Sequence, residues 1–149
     1  MSRQDDHYAW ALTTAQALRE GDLAVVDFSE VADELEQMGR ADTFELASRI
    51  TQILELLLKV EYSAGVLRDY NERGWRAAIS RQQGELEILL QYSPSLKGKI
   101  DSQLIADGYR RAARTVRTEY PELRLPPECP FPVSKVLPGI RAGKKRSKP

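Results

Sequence analysis

The sequence predicts an all-α fold, a single bundle of about five helices with an extended proline-rich C-terminal segment. Three observations predict it. The stretch Ala41 to Ser63, ADTFELASRITQILELLLKVEYS, has no Pro or Gly and is rich in good helix formers. Apolar residues recur at helical spacing there and in the flanking segments. Prolines crowd together only after Glu119. The helical body is expected over residues 1–138, with 139–149 a basic, disordered tail.

Taken in order, Asp5 or Asp6 is placed to cap a first helix running to about Glu20. Tyr8, Ala11, Leu12, Ala15 and Leu18 form its apolar side, and Trp10 lies off that line. Gly21 sits where a left-handed C-terminal residue is wanted. Asp27 and Glu30 make a capping-box variant before a second helix ending at Gly39. Its stripe is Phe28, Val31, Ala32, Leu35 and Met38. The central helix follows, with Leu46, Ile50, Ile53, Leu57 and Val60 in line, and Leu54, Leu56 and Leu58 widening the arc. Burying those side chains contributes on the order of 12–24 kcal/mol before entropy is subtracted. Arg49, Glu55, Lys59 and Glu61 exclude a membrane span.

Gly65 to Arg73 reads as a polar connection and Gly74 to Tyr92 as a fourth helix. Ser93-Pro94-Ser95 signals the start of a fifth, running to about Tyr120. Gly108 inside it suits a close neighbour or a bend. From Pro121 the prolines forbid regular structure, apart from a short turn near Val133 to Leu137. Leu123, Leu125, Phe131, Val133, Val136 and Leu137 suit an apolar strap across the bundle.

Formal net charge is zero, but the last eleven residues carry five basic groups and no acid. The body is acid-leaning, which argues against a dedicated nucleic-acid binder. One cysteine, Cys129, excludes an internal disulfide and a cysteine zinc site. The polar N-terminus MSRQDDHYAW lacks a secretory pattern, so a cytoplasmic protein is the expectation.

Several stretches together resemble a known family: Tyr8-x-Trp10, DFSEVADELEQMGR, ELASRITQILELLLKVEY, WRAAISRQQGELEILLQYSPSLK and the late PPECPF. In order and spacing they resemble the bacterial family catalogued as domain of unknown function 29, over about residues 5–138. The resemblance implies an all-helical bacterial protein and no particular activity. The matching residues are Glu34, Gly39, Arg49, Leu57, Lys59, Tyr62, Trp75, Ser93, Pro94, Ser95, Leu96, Cys129 and Pro130. The basic tail lies outside it.

Three clusters deserve weighing as chemistry. Arg49 and Glu61 fall at the edge of, and inside, the central apolar arc, so both need partners. Glu34 is the expected partner of Arg49, and an arginine of the fourth or fifth helix that of Glu61; a polar pocket beside them is the enzyme-like alternative. Glu30, Asp33, Glu34 and Glu36 supply oxygens, but no Glu-x-x-His pair exists and the single His7 stands apart, so no metal or other cofactor is expected. Arg110, Arg111, Arg114 and Arg117 cluster on the fifth helix, a candidate site for an anion or acidic partner or, combined with the Lys144-Lys145-Arg146 tail, for nucleic acid. Cys129, between Glu128 and Pro130, has no nearby base, and no catalytic residue is assigned. The expected function is a non-enzymatic helical module that binds another protein or itself, with no membrane role.

Overall fold

The computed structural model describes residues 2–139 and is all-α, with no strand among the described residues. Four long helices carry it: α1 (His7–Glu20), α2 (Phe28–Tyr62), α3 (Gly65–Tyr92) and α4 (Ser102–Glu119). Single 3-10 segments cover Leu23–Val25 and Pro94–Lys99, and a short α5 covers Val133–Val136. The basic tail expected to be disordered lies, from residue 140 on, outside the described residues.

The first helix follows its signals. Asp6 accepts the Ala9 N–H at 2.9 Å, and Gly21 closes α1 at φ 74°, the left-handed region where glycine has no Cβ penalty. Asp27 accepts the Glu30 N–H at 3.1 Å and opens α2. The other half of the expected capping box is not made, because the Glu30 carboxylate is taken by Trp10.

Three boundaries differ from expectation. Gly39 does not end a helix; α2 runs through it to Tyr62. A helical glycine costs only ~1 kcal/mol, and Gly39 has no positive φ that would turn the chain. The break falls at Ser63–Ala64, where Gly65 takes φ 60°. The segment from Gly65 to Arg73 is helical rather than a connection. Its polarity marks exposure, and it is supported by the Arg68–Glu72 and Glu72–Arg76 pairs and by the Asn71 amide donating to the Leu67 carbonyl. The Ser93-Pro94 signal opens only the 3-10 segment. The helix after it starts at Ser102, where Asp101 accepts the Leu104 N–H at 2.8 Å.

Contacts group the chain into two compact units, Met1–Ala41 and Asp42–Pro149. The second unit holds a true core. Leu46, Ile50, Ile53, Leu54, Leu57, Leu58 and Val60 of α2 are buried with Leu86 and Leu90 of α3 and Ile105, Ala112 and Val116 of α4. Gly108 brings α4 close to α2: a Cβ there would meet Leu54 Cδ1 at 3.3 Å and Thr51 Oγ1 at 3.4 Å. The proline-rich strap seats Phe131, Val136 and Leu137 in this core, as its apolar pattern predicts. The buried Tyr109 ties the strap down by donating from its hydroxyl to the Pro126 carbonyl at 2.5 Å.

Candidate interaction site

The first unit is an antiparallel helical hairpin, and its seam is polar. His7 Nε2 meets Glu34 Oε1 at 2.9 Å, and Trp10 Nε1 donates to Glu30 Oε2 at 3.0 Å. Ascending order in α1 pairs with descending order in α2, which fixes the antiparallel sense. Arg3 completes the clasp. Its guanidinium donates to the Glu30 carbonyl at 2.9 Å, lies within 3.8 Å of the Asp33 and Glu34 carboxylates, and stands 5.8 Å from the Trp10 ring centre. These contacts span 20 to 31 residues of sequence, so no local pattern announces them. Beside the seam, Trp10, Thr13, Thr14, Val25, Asp27 and Glu30 line a recess of about 290 Å³ together with Ala9.

The apolar stripes of both helices lie elsewhere. At ~100° per residue, the stripe of Tyr8, Leu12 and Leu18 is centred roughly 120° around α1 from His7 and Trp10, which meet α2, and spreads over about 120° of the wheel. The stripe of Phe28, Leu35 and Met38 is centred roughly 110° around α2 from Glu30 and Glu34, in the same rotational sense, and spreads over about 80°. In an antiparallel pair, equal rotations of one sense bring both stripes to one face. That face is open. Tyr8 is 76% exposed, Leu12 56%, Leu18 40%, Phe28 56%, Leu35 62% and Met38 59%. Of the side of α1 expected to be buried, Tyr8, Leu12 and Leu18 are therefore exposed, while Ala11 and Ala15 are half-buried. Among the described residues of the hairpin, only Ala17 and Val26 are buried hydrophobics, against eight large hydrophobics left exposed when Leu23 and Val25 are included.

Charge sets the hairpin apart too. Residues 1–41 hold nine Asp or Glu and three Lys or Arg, a net of −6. Residues 42–139 hold thirteen acidic and fourteen basic groups, a net of +1. The acid excess of the whole body is thus located in the first unit.

The residues singled out from sequence separate into independent groups. Arg49 is half-buried, as its place on the arc requires. Its partners are Glu45 at 3.0 Å, Gln82 at 3.0 Å and Glu85 at 3.9 Å, not Glu34. Because α2 runs unbroken through Gly39, the turn expected to bring Glu34 back toward Arg49 is absent. Glu34 belongs to the hairpin clasp. Glu61 is exposed rather than buried, and its partner is Lys135 of α5 at 3.8 Å rather than an arginine. Arg49 and Glu61 thus belong to separate ion pairs.

Arg110, Arg111, Arg114 and Arg117 are all exposed on α4. The first three, with Asp107, line a recess of about 390 Å³. Arg110 is already paired with Asp107, and that hydrogen bond is the first cause holding the Asp107 carboxyl below its usual range. Burial pushes the Cys129 thiol upward, away from thiolate character, and its sulfur faces the Phe131 carbonyl.

One cluster escaped the sequence reading. Lys59, whose side chain is 12% exposed, reaches Glu119 at 2.9 Å and stands 5.7 Å from the Tyr120 ring centre. Trp75 packs edge-on to that ring. Sequence shows Lys59 only as an i,i+4 partner for Glu55; the real partner lies sixty residues away.

Among the described residues no helix is long and apolar enough to cross a membrane. No curated protein and no solved structure matches the chain. The family described as Domain of unknown function DUF29 matches residues 4–139. That match takes in nearly the whole chain, helical hairpin and core unit alike, and the protein belongs to the DUF29 family.

Proposed function

We propose that this chain is a non-enzymatic interaction module that binds protein through the open face of its N-terminal hairpin. One observation carries the reading: the hairpin buries two hydrophobic side chains and exposes eight large ones, six of them on one face. A helical pair with so little core gains most from covering that face. Contiguous apolar surface of this kind marks interaction sites in proteins that are not aggregating. The reading includes a bacterial cytoplasm, supported by family resemblance and by a single half-buried free cysteine suited to a reducing compartment.

Light scattering and covalent cross-linking of the full chain test it, with Leu12→Glu and Leu35→Glu as comparisons. Both positions are exposed, so both variants are expected to keep the native circular dichroism. The expected result is a specific complex, with a second copy or another protein, that both substitutions abolish. A strict monomer with no partner, or a complex indifferent to both, overturns the reading.

A second reading has one observation in its favour. Arg110, Arg111 and Arg114 converge on one recess and offer guanidinium groups to phosphates. It predicts binding of mixed-sequence nucleic acid at low salt that falls steeply as salt rises. No binding at low salt removes it.

A further inference from the structure

Resting on that interaction reading, we propose that the open hairpin face docks an amphipathic helix with basic flanks, supplied by a partner protein, to complete a three-helix bundle. Shape and charge point to this occupant.

Shape comes first. Tyr8, Leu12 and Leu18 leave an apolar stripe exposed on α1, and Phe28, Leu35 and Met38 leave one on α2, on antiparallel helices. Small side chains at Ala11 and Ala15 lie within the α1 stripe. Two neighbouring stripes of aliphatic and aromatic side chains, one of them interrupted by small residues, accept the side chains of a third helix. Helix α1 has fourteen residues, ~21 Å of rise, so an occupant of about four turns matches it.

Charge then separates the candidates. The six side chains leave on the order of 500 Å² of apolar surface, enough for one docked helix. A second copy would bring together two hairpins of net −6 each, and juxtaposed like charges oppose association. An anionic membrane surface is disfavoured for the same reason. A helix bearing Lys and Arg beside its apolar stripe gains from the excess that repels the others. The chain's own basic tail has the charge but not the stripe: residues 140–149, IRAGKKRSKP, contain one large aliphatic side chain.

The test titrates the full chain against two labelled synthetic peptides of about 18 residues, ~27 Å when helical. They share one leucine stripe; one is flanked by Lys and Arg, the other by Glu. Fluorescence anisotropy is expected to show the basic peptide binding at least about tenfold tighter than the acidic one, with the gap narrowing as salt rises. Leu12→Glu and Leu35→Glu are each expected to weaken basic-peptide binding by about tenfold or more. Ile88→Glu and Tyr92→Glu, exposed positions on α3, are expected to leave it unchanged. Equal affinity for both peptides, or indifference to the face substitutions, overturns the proposal. Tighter peptide binding after reversing the charges of Lys144, Lys145 and Arg146 would make the tail the occupant and also overturn it. A dimer that Leu12→Glu splits would make a second copy the occupant, which sinks this inference and leaves the interaction reading standing. A strict monomer that binds neither peptide and forms no cross-linked complex sinks both.

Discussion

Helix α2 carries one apolar period on both sides of the boundary between Ala41 and Asp42, and the two units use it in opposite ways. After the boundary, Leu46, Ile50, Ile53, Leu57 and Val60 are at most 7% exposed, covered by α3, α4 and the C-terminal strap. Before it, Phe28, Leu35 and Met38 repeat the same spacing and stay more than half exposed. The described residues from 42 onward bury twenty hydrophobic side chains and expose five large ones; the hairpin buries two and exposes eight. Periodicity therefore reports which side of a helix wants cover. It does not report whether cover exists in the same chain. What distinguishes the two stretches is supply. The second unit has two further long helices and a strap to lay on α2, whereas the hairpin has only α1, and α1 meets α2 through a polar seam.

The sharpest way to break this comparison is to cut the same side chain on each side of the boundary. Leu54 is 0% exposed and Leu35 is 62% exposed. Leu54→Ala removes a core side chain and is expected to cost about 2–5 kcal/mol, the range for buried leucines. Leu35→Ala is expected to change stability by no more than about 0.5 kcal/mol, as for surface positions. Urea unfolding of both variants measures the difference. If Leu35→Ala proves as costly as Leu54→Ala, the hairpin face is already covered in solution by something other than solvent, and the contrast between the units collapses.

The legible part of this molecule is its set of local signals. Asp6, Gly21 and Asp27 mark helix ends because capping is chemistry within one turn. The strap was readable because proline and apolar spacing are local as well. The errors share a cause. Gly39, the Gly65–Arg73 stretch and Ser93-Pro94 are signals of low cost, and the surrounding helix or 3-10 segment overrode them. The central arc correctly demanded partners for Arg49, but choosing Glu34 required a turn that does not exist. The open face was visible only in part. Both stripes were legible as apolar, yet reading them as core assumed neighbours that the chain does not provide. The polar seam of Arg3, Trp10 and Glu30 decides which sides are left over, and it depends on contacts beyond the reach of any sequence window.

The smallest predicted effect sharpens the comparison from the buried side. Glu55 is half-buried on α2, in the unit that holds the core, and burial is the main reason its carboxyl titrates above the ordinary glutamate range. Lys59 opposes the shift by its positive charge, while Glu119 adds to it. The sign follows from proton counting. Between the ordinary value and the raised folded value, the native state binds more protons at Glu55 than the unfolded chain does. The slope of stability with pH from this group is therefore negative in that window. Its stabilising share is full below the ordinary value and is lost as pH rises through the folded value. Glu55→Gln removes the titration. Relative to the unsubstituted chain, the variant is expected to gain stability between about pH 4 and about pH 7, by a small amount because solvent screens a half-exposed group. Paired urea melts at the two pH values measure it. A stability difference that does not change with pH, or that shrinks as pH rises, would mean the Lys59 charge outweighs burial at this site.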